Sequence, residues 1–162
     1  KSSSYSVDHG SSVPKYSSRT FNTTMTINGT PNAFILHRYQ VDNYGQVWIN
    51  GQLVYQNPLS GAGWPRDLRN ASVVYSNGYK LRVGGTNYSF WDDGCNSGCS
   101  GVYPRKDITS YLREGANTIT LVCVNARSIG PCAVTITGSV NELVFLGSIV
   151  NNGCAALQER AK

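Results

Sequence analysis

Two kinds of side chain in this sequence could carry chemistry: a sparse set of acids and five cysteines. Of the nine acids, Asp92-Asp93 is the one adjacent pair. Neighbouring residues of a strand point to opposite faces, so this pair serves one substrate only if it lies in a turn. A glycosidase places two carboxylates across a sugar ring, and Asp92 or Asp93 would need the fold to bring up Asp42 or Glu142. No Ser-His-Asp or Cys-His order stands out, and no glycine loop suits phosphate. His9 and His37 have no partner at ligand spacing, and His37 reads as a packed or edge residue. The expectation is a protein that is not an enzyme and carries no cofactor. Asp42, Asn43 and Asp107 are of the types that hold calcium in lectin sandwiches, but the same types cap turns, and capping is favoured. No metal is expected.

The cysteines are Cys95, Cys99, Cys123, Cys132 and Cys154. Cys95 and Cys99 have a spacing zinc can use, but a closed zinc site needs two further ligands nearby. A thioredoxin-type site would open a helix, whereas "DGCNSGCSG" is a glycine-rich turn. Disulfides fit better. Cys95 and Cys99 flank a short flexible loop. Cys123 and Cys132 stand near the ends of two strands joined by a turn around Gly130-Pro131. Both pairings are local and would stiffen loops. Cys154 is then left over, with a partner elsewhere or as a free thiol, and other connectivities stay open. Oxidised pairs place the chain in a periplasm or outside a cell.

A different chemistry, that of recognition, concentrates in residues 57–105. This stretch holds Trp64, Trp91, Tyr75, Tyr79, Tyr88, Tyr103, Arg66, Arg69 and Arg82. Trp, Tyr and Arg dominate binding hot spots, and Tyr, Ser, Gly and Asn dominate adaptable contact loops. Within it, "ASVVYSNGYKLRV" reads as a hairpin turning at Asn77-Gly78. The candidate contact residues are Trp64, Arg66, Arg69, Tyr75, Asn77, Tyr79 and Arg82. The structural alternative is that Trp64 and Trp91 plug the ends of a sandwich. A connection this long is uncommon without a function, which favours recognition for the segment as a whole.

These residues need a scaffold, and the rest of the chain reads as one. "TFNTTMTI" alternates and ends at Asn28-Gly29, "NAFILHRYQV" is a second strand, and "QVWI" and "QLVY" flank Asn50-Gly51 as a hairpin. "NTITLVCVN" and "CAVTITGSV" read as a further antiparallel pair. Before them, "KDITSYLREGAN" suits a single helical turn capped by Asp107 that buries Ile108 and Leu112. The expected fold is all-β: an antiparallel two-sheet sandwich over residues 19–145 with a hairpin-containing insertion at 57–105. Residues 1–18 read as a linker or edge segment, and 146–162 as a tail, possible helix included, leading into a larger protein.

The length of 162 residues suits one domain. Charged residues make up only 14%, and the net charge of +5 is scattered. No basic run reaches the density of a nucleic-acid patch, so nucleic acid is not an expected partner. No apolar stretch approaches the roughly 18 residues of a membrane span. The chain starts at Lys1 and so looks like a mature or excised piece. Sequons at Asn22, Asn28, Asn70 and Asn87 would matter only in a eukaryotic secreted protein.

The segments "YQVDNYGQVWINGQLVY" and "DITSYLREGANTITLVCVN" together resemble the paired signature of galactose-binding-like jelly-roll domains, over residues 32–143. In that signature an aspartate-aromatic-small run enters an Asn-Gly hairpin, and a D-I-T-x-Y-L-x-x-G-x-N-T-I run enters a late strand. With its local cysteines and long insertion, the chain looks like the distal, or tip, domain of the TraN family, the cysteine-rich mating-pair stabilisation proteins of F-type conjugation systems. That resemblance implies a monomeric domain at the outer membrane, on the surface of a Gram-negative cell. Its partner would be a porin-like outer-membrane β-barrel of the recipient cell, read by the insertion. A carbohydrate-binding module is the alternative, with aromatic platforms and a few polar groups as the contact.

Overall fold

A computed structural model describes residues 2–42, 44–56, 66–75, 79–89, 103–125 and 130–141. Eleven strands account for most of them: β1 (Ser2–Gly10), β2 (Ser17–Ile27), β3 (Thr30–Val41), β4 (Tyr44–Ile49), β5 (Gln52–Gln56), β6 (Ser72–Tyr75), β7 (Tyr79–Val83), β8 (Thr86–Ser89), β9 (Lys106–Asp107), β10 (Gly115–Asn125) and β11 (Cys132–Asn141). One 3-10 turn, Thr109–Tyr111, is the helical element among the described residues.

Two four-stranded antiparallel sheets form the sandwich, in the orders β1-β11-β3-β9 and β2-β10-β4-β5. Successive strands mostly cross from one sheet to the other, as in a jelly roll. The expected all-β sandwich is therefore the observed fold. Between the sheets lies the main core, with Met25, Ile27, Phe34, Leu36, Tyr39, Val47, Ile49, Leu121 and Ile136 among its members. The period-2 alternation of each strand supplies these residues. Gly138 is glycine because the Phe34 ring lies where a Cβ would be.

The Asn50-Gly51 hairpin is as expected. Both residues have positive φ, +50° and +79°, the combination of a type I′ turn. Its tip is anchored as well as turned. Asn50 Nδ2 donates to Tyr111 O and to Asn117 Oδ1, both at 2.9 Å, and Asn50 Oδ1 accepts the Thr118 N–H at 3.0 Å. Asn117 is fully buried and donates to the carbonyls of Met25, Arg113 and Gly115. One asparagine pair thus ties the hairpin to the segment entering β10. The 3-10 turn completes this end. Asp107 Oδ1 accepts the Thr109 N–H at 2.9 Å, and Ile108 and Leu112 are buried.

The structure corrects the pairing of the two late strands. β10 pairs with β2 and β4, and β11 pairs with β1 and β3, so they belong to opposite sheets. β10 and β11 are therefore not the two arms of one hairpin. Alternating strands joined by a short link are compatible with either geometry, and only the partners on both flanks decide between them. The Cys123–Cys132 disulfide is present, with a Cα–Cα distance of 6.0 Å. Because its cysteines sit in different sheets and are at most 1% exposed, it staples the two layers through the core instead of stiffening a loop. Cys95, Cys99 and Cys154 lie outside the described residues, as does the tail at 146–162.

At the start of the chain, Ser2–Gly10 is an edge strand paired along its length with β11. Tyr5 and Val7 pack on the core, and the Tyr5 hydroxyl accepts the Asn28 N–H at 2.8 Å. On the opposite flank, Lys106 Nζ donates to Val54 O at 2.6 Å and so links the edges of the two sheets.

Candidate recognition surface

The insertion builds a third layer. β6, β7 and β8 form a separate three-stranded antiparallel sheet. Tyr75 pairs with Tyr79 across the expected second hairpin, and Lys80 pairs with Ser89 on the far side of β7. The β7–β8 turn is Gly84-Gly85, with φ of +57° and +84°. A Gly-Gly pair between two β-branched residues, Val83 and Thr86, is a type I′ signal that sequence reasoning passed over.

This layer rests on the outer face of β2-β10-β4-β5 through a core of its own. Leu68 and Leu81 are fully buried against Trp48, Val122 and Val124, with Tyr44, Leu53, Ala71, Val73 and Val83 at the margin. β10 and β4 are consequently buried on both faces from Ile119 to Asn125 and from Gly45 to Ile49. Their near-continuous apolar runs, "ITLVCV" and "VWI", were the available signal of a covering layer.

A strap at residues 66–71 holds the layer down. Its key residue is Gln46, fully buried on β4. Gln46 Nε2 donates to Arg66 O at 2.6 Å and to Gln56 Oε1 at 3.1 Å. Its Oε1 accepts the Leu68 N–H and Trp48 Nε1–H, each at 3.0 Å. From β2, Ser18 Oγ donates to Ala71 O at 2.7 Å and Thr20 Oγ1 to Arg69 O at 3.1 Å. The strap's backbone is thus tied to side chains of two strands of the sheet beneath it.

The expected contact residues separate into three groups. Arg69 is committed to the strap. Its guanidinium lies 4.0 Å from the Trp48 ring and pairs with Asp67 at 2.7 Å. The hydrogen bond from Arg69 holds the Asp67 carboxyl below the usual carboxylate range, and the same bond raises Arg69. Arg66 and Arg82 are exposed. Arg82 Nη1 donates to Asn87 Oδ1 at 3.2 Å, and Ser72, Arg82 and Asn87 form one cross-strand row opposite in parity to the buried Leu81. The Tyr75 and Tyr79 backbones are paired next to the hairpin turn. Trp64 and Asn77 lie outside the described residues, as does Trp91.

No family model, curated protein or solved structure matches this chain. Its site must be read from geometry alone. The geometry offers a three-stranded sheet that exposes Ser72, Arg82 and Asn87, and beneath it a second core.

The acids do not assemble a cation site among the described residues. Asp107 is opposite Ile35, while Asp42 lies seven residues further along the chain from Ile35, roughly 20 Å away in extended strand. Asp107 is spent on its turn, and the hydrogen bonds from Thr109 lower its pKa. Asp42 is half-buried beside Gly130, and burial raises its pKa. Nothing brings Asp42 and Asp107 into one coordination sphere.

Proposed function

We propose that this domain is a surface recognition module, an adhesin tip whose insertion layer contacts an outer-membrane β-barrel of a recipient cell during conjugation. The observation that carries this reading is the clamped third layer. A chain that needed only a stable sandwich would have no use for a second core and a four-bond glutamine tie under an exposed sheet. A pre-organised surface loses little conformational entropy on binding, which is what a recognition element needs. Arg82 on that sheet and Arg66 at the start of the strap are exposed and supply cationic hot-spot side chains. The resemblance to the TraN family supplies the partner class, the Gram-negative outer-membrane location and the purpose, stabilising mating pairs. The role is one of binding, without bond-making.

Because Leu68 and Leu81 hold the second core, deleting the insertion would damage the sandwich along with the contact surface. Charge reversal is the better experiment. The domain is used to capture proteins from recipient outer-membrane extracts. Arg66→Glu with Arg82→Glu is expected to weaken capture of a single barrel protein at least tenfold, with Tm unchanged. Undiminished capture by the double variant refutes the assignment of this face.

A further inference from the structure

The sandwich has a second distinctive surface, on the sheet β1-β11-β3-β9, which no strand of the insertion covers among the described residues. Tyr103 is 54% exposed, the one large hydrophobic side chain so exposed among the described residues. The His37 ring meets it edge-on at 5.6 Å between centroids, and the Arg38 guanidinium lies 6.0 Å from its ring centre. Two adjacent strand residues reach the same ring because β3 carries a bulge here. Thr135 pairs with Arg38 and Ile136 with Leu36, leaving His37 as the extra residue. Bulges re-aim side chains and recur beside functional sites. Two residues beyond Tyr103, Arg105 is exposed and holds φ at +46°, a left-handed conformation that a non-glycine residue adopts at a cost.

Arg38 is half-buried, and none of the described carboxylates pairs with it. Its Nη2 donates to Gln40 Oε1 at 3.0 Å, its Nε is shielded from water with no hydrogen-bond acceptor, and it has no ion pair among the described residues. The nearest described carboxylates, Asp8 and Asp107, are turned to other partners. Asp8 lies in the same cross-strand row, two strands away at roughly 10 Å, and accepts the Thr135 hydroxyl. Asp107 accepts the Thr109 N–H. A half-buried cation without a counter-charge favours an anion from outside. An exposed ring beside it favours a flat, amphipathic body.

We propose that Tyr103, Arg38 and His37 form a binding site for a carboxylate-bearing saccharide, with the sugar ring on Tyr103 and its carboxylate toward Arg38. Gln40 and Thr135, on the same open face, supply amide and hydroxyl groups for the ring hydroxyls. Arg105 adds positive potential at the rim. Tyr103 and Arg105 end the 57–105 segment, but the site lies on the opposite sheet from β6-β7-β8 and does not depend on the role proposed for that layer.

The test titrates the domain with a galacturonic acid trisaccharide, followed by NMR and calorimetry. The neutral galactose trisaccharide and a glutamate-rich peptide serve as comparators. The expected result is saturable shifts at Tyr103, His37 and Arg38, with the acidic sugar bound at least tenfold more tightly than either comparator. Tyr103→Ala and Arg38→Gln should each weaken it at least tenfold, and Arg38→Lys should recover part of the loss. Tyr103 is exposed, so Tyr103→Ala should keep its Tm, and capture of a barrel protein by the insertion layer should be unchanged. Absence of saturable shifts overturns the proposal, as does equal affinity for the neutral sugar or for the peptide. Loss of barrel capture in Tyr103→Ala would merge the two surfaces and overturn it too.

Discussion

Replacing Gln46 with methionine tests whether the third layer is latched as described. Methionine keeps most of the volume and removes all four hydrogen bonds of the amide. Gln56 is exposed and turns to water. The Leu68 N–H and the Trp48 indole N–H do not have that option, because both residues are buried and each donates to Gln46 Oε1. Each buried donor left without an acceptor costs about 1–2 kcal/mol, so the two together cost about 2–4 kcal/mol. The loss falls on the strap before it falls on the sandwich, since Leu68 belongs to the outer core alone. At about 1.4 kcal/mol per factor of ten, opening of the strap should rise roughly 30- to 1,000-fold. Native-state hydrogen exchange reads this directly. The amides of Leu68 and Ala71 should exchange faster by that factor, while Leu121 in β10 changes far less. Equal acceleration of Leu68 and Leu121 would show one cooperative unit and refute a separable latch. No acceleration would refute the role of Gln46.

Three further outcomes follow from the same contacts. Reducing the Cys123–Cys132 disulfide, or replacing both cysteines with alanine, should cost roughly 2.5–3 kcal/mol, the loop entropy for a separation of 9 residues, read as a lower urea midpoint. Asn117→Ala removes a buried side chain that serves Asn50, Arg113, Met25 and Gly115, and should cost about 3–5 kcal/mol, with loss of protection at Thr118, checked by denaturant unfolding and exchange. Asp42 has a raised pKa from burial, and its Oδ1 is shielded without a hydrogen-bond partner. Raising a carboxyl's folded pKa disfavours the charged form, so this group's contribution is most favourable below the ordinary carboxylate value and is lost as pH rises through the folded value. Asp42→Asn should therefore raise Tm at pH 7, and the gain should vanish under acid; a gain independent of pH would contradict the sign.

The parts of the fold legible in the sequence are those fixed by neighbours in the chain. Asn50-Gly51 specifies its turn by itself, because few residues tolerate two successive positive φ angles. Ile108, Leu112 and the capping Asp107 describe one turn without reference to anything distant. What local pattern cannot specify is which sheet a strand joins. β10 and β11 alternate correctly and sit six residues apart, yet their partners β2, β4, β1 and β3 come from far upstream, the closest pairing being Ile119 with Ile49, 70 residues apart. β1 was obscure for another reason: its inward positions are Tyr5, Val7 and His9 in a serine-rich run, too few apolar residues to show a period. At the candidate sites, residue type singled out Arg66, Arg69 and Arg82 alike as contact residues, and the structure shows Arg66 and Arg82 exposed. Residue type did not distinguish them from Arg69, whose fate depends on Trp48, a residue of another strand. Tyr103 stood out only as one of four tyrosines of the 57–105 stretch, since the bulge that places His37 and Arg38 beside it arises from pairing with β11.

The two sheets of the sandwich carry the same inner chemistry and opposite outer chemistry, and that difference bears on function. The outer face of β2-β10-β4-β5 is apolar at Val122, Val124 and Trp48, so it must be covered, and the insertion covers it. The outer face of β1-β11-β3-β9 presents Ser4, Ser6, Asp8, Thr135 and Arg38 and needs no cover. If the insertion were merely a lid, its own outer surface would be free to carry any soluble residue. A surface presenting Ser72, Arg82 and Asn87 in one cross-strand row satisfies that requirement and a binding role equally well. What separates the two is rigidity. A lid tolerates fraying at its rim, whereas a contact surface does not, and the ties from Gln46, Ser18 and Thr20 all act on the backbone of the strap that leads into it. Exchange rates at Arg82 and Asn87 that match those of the main core would place the insertion with contact surfaces; rates near those of open loops would reduce it to a lid.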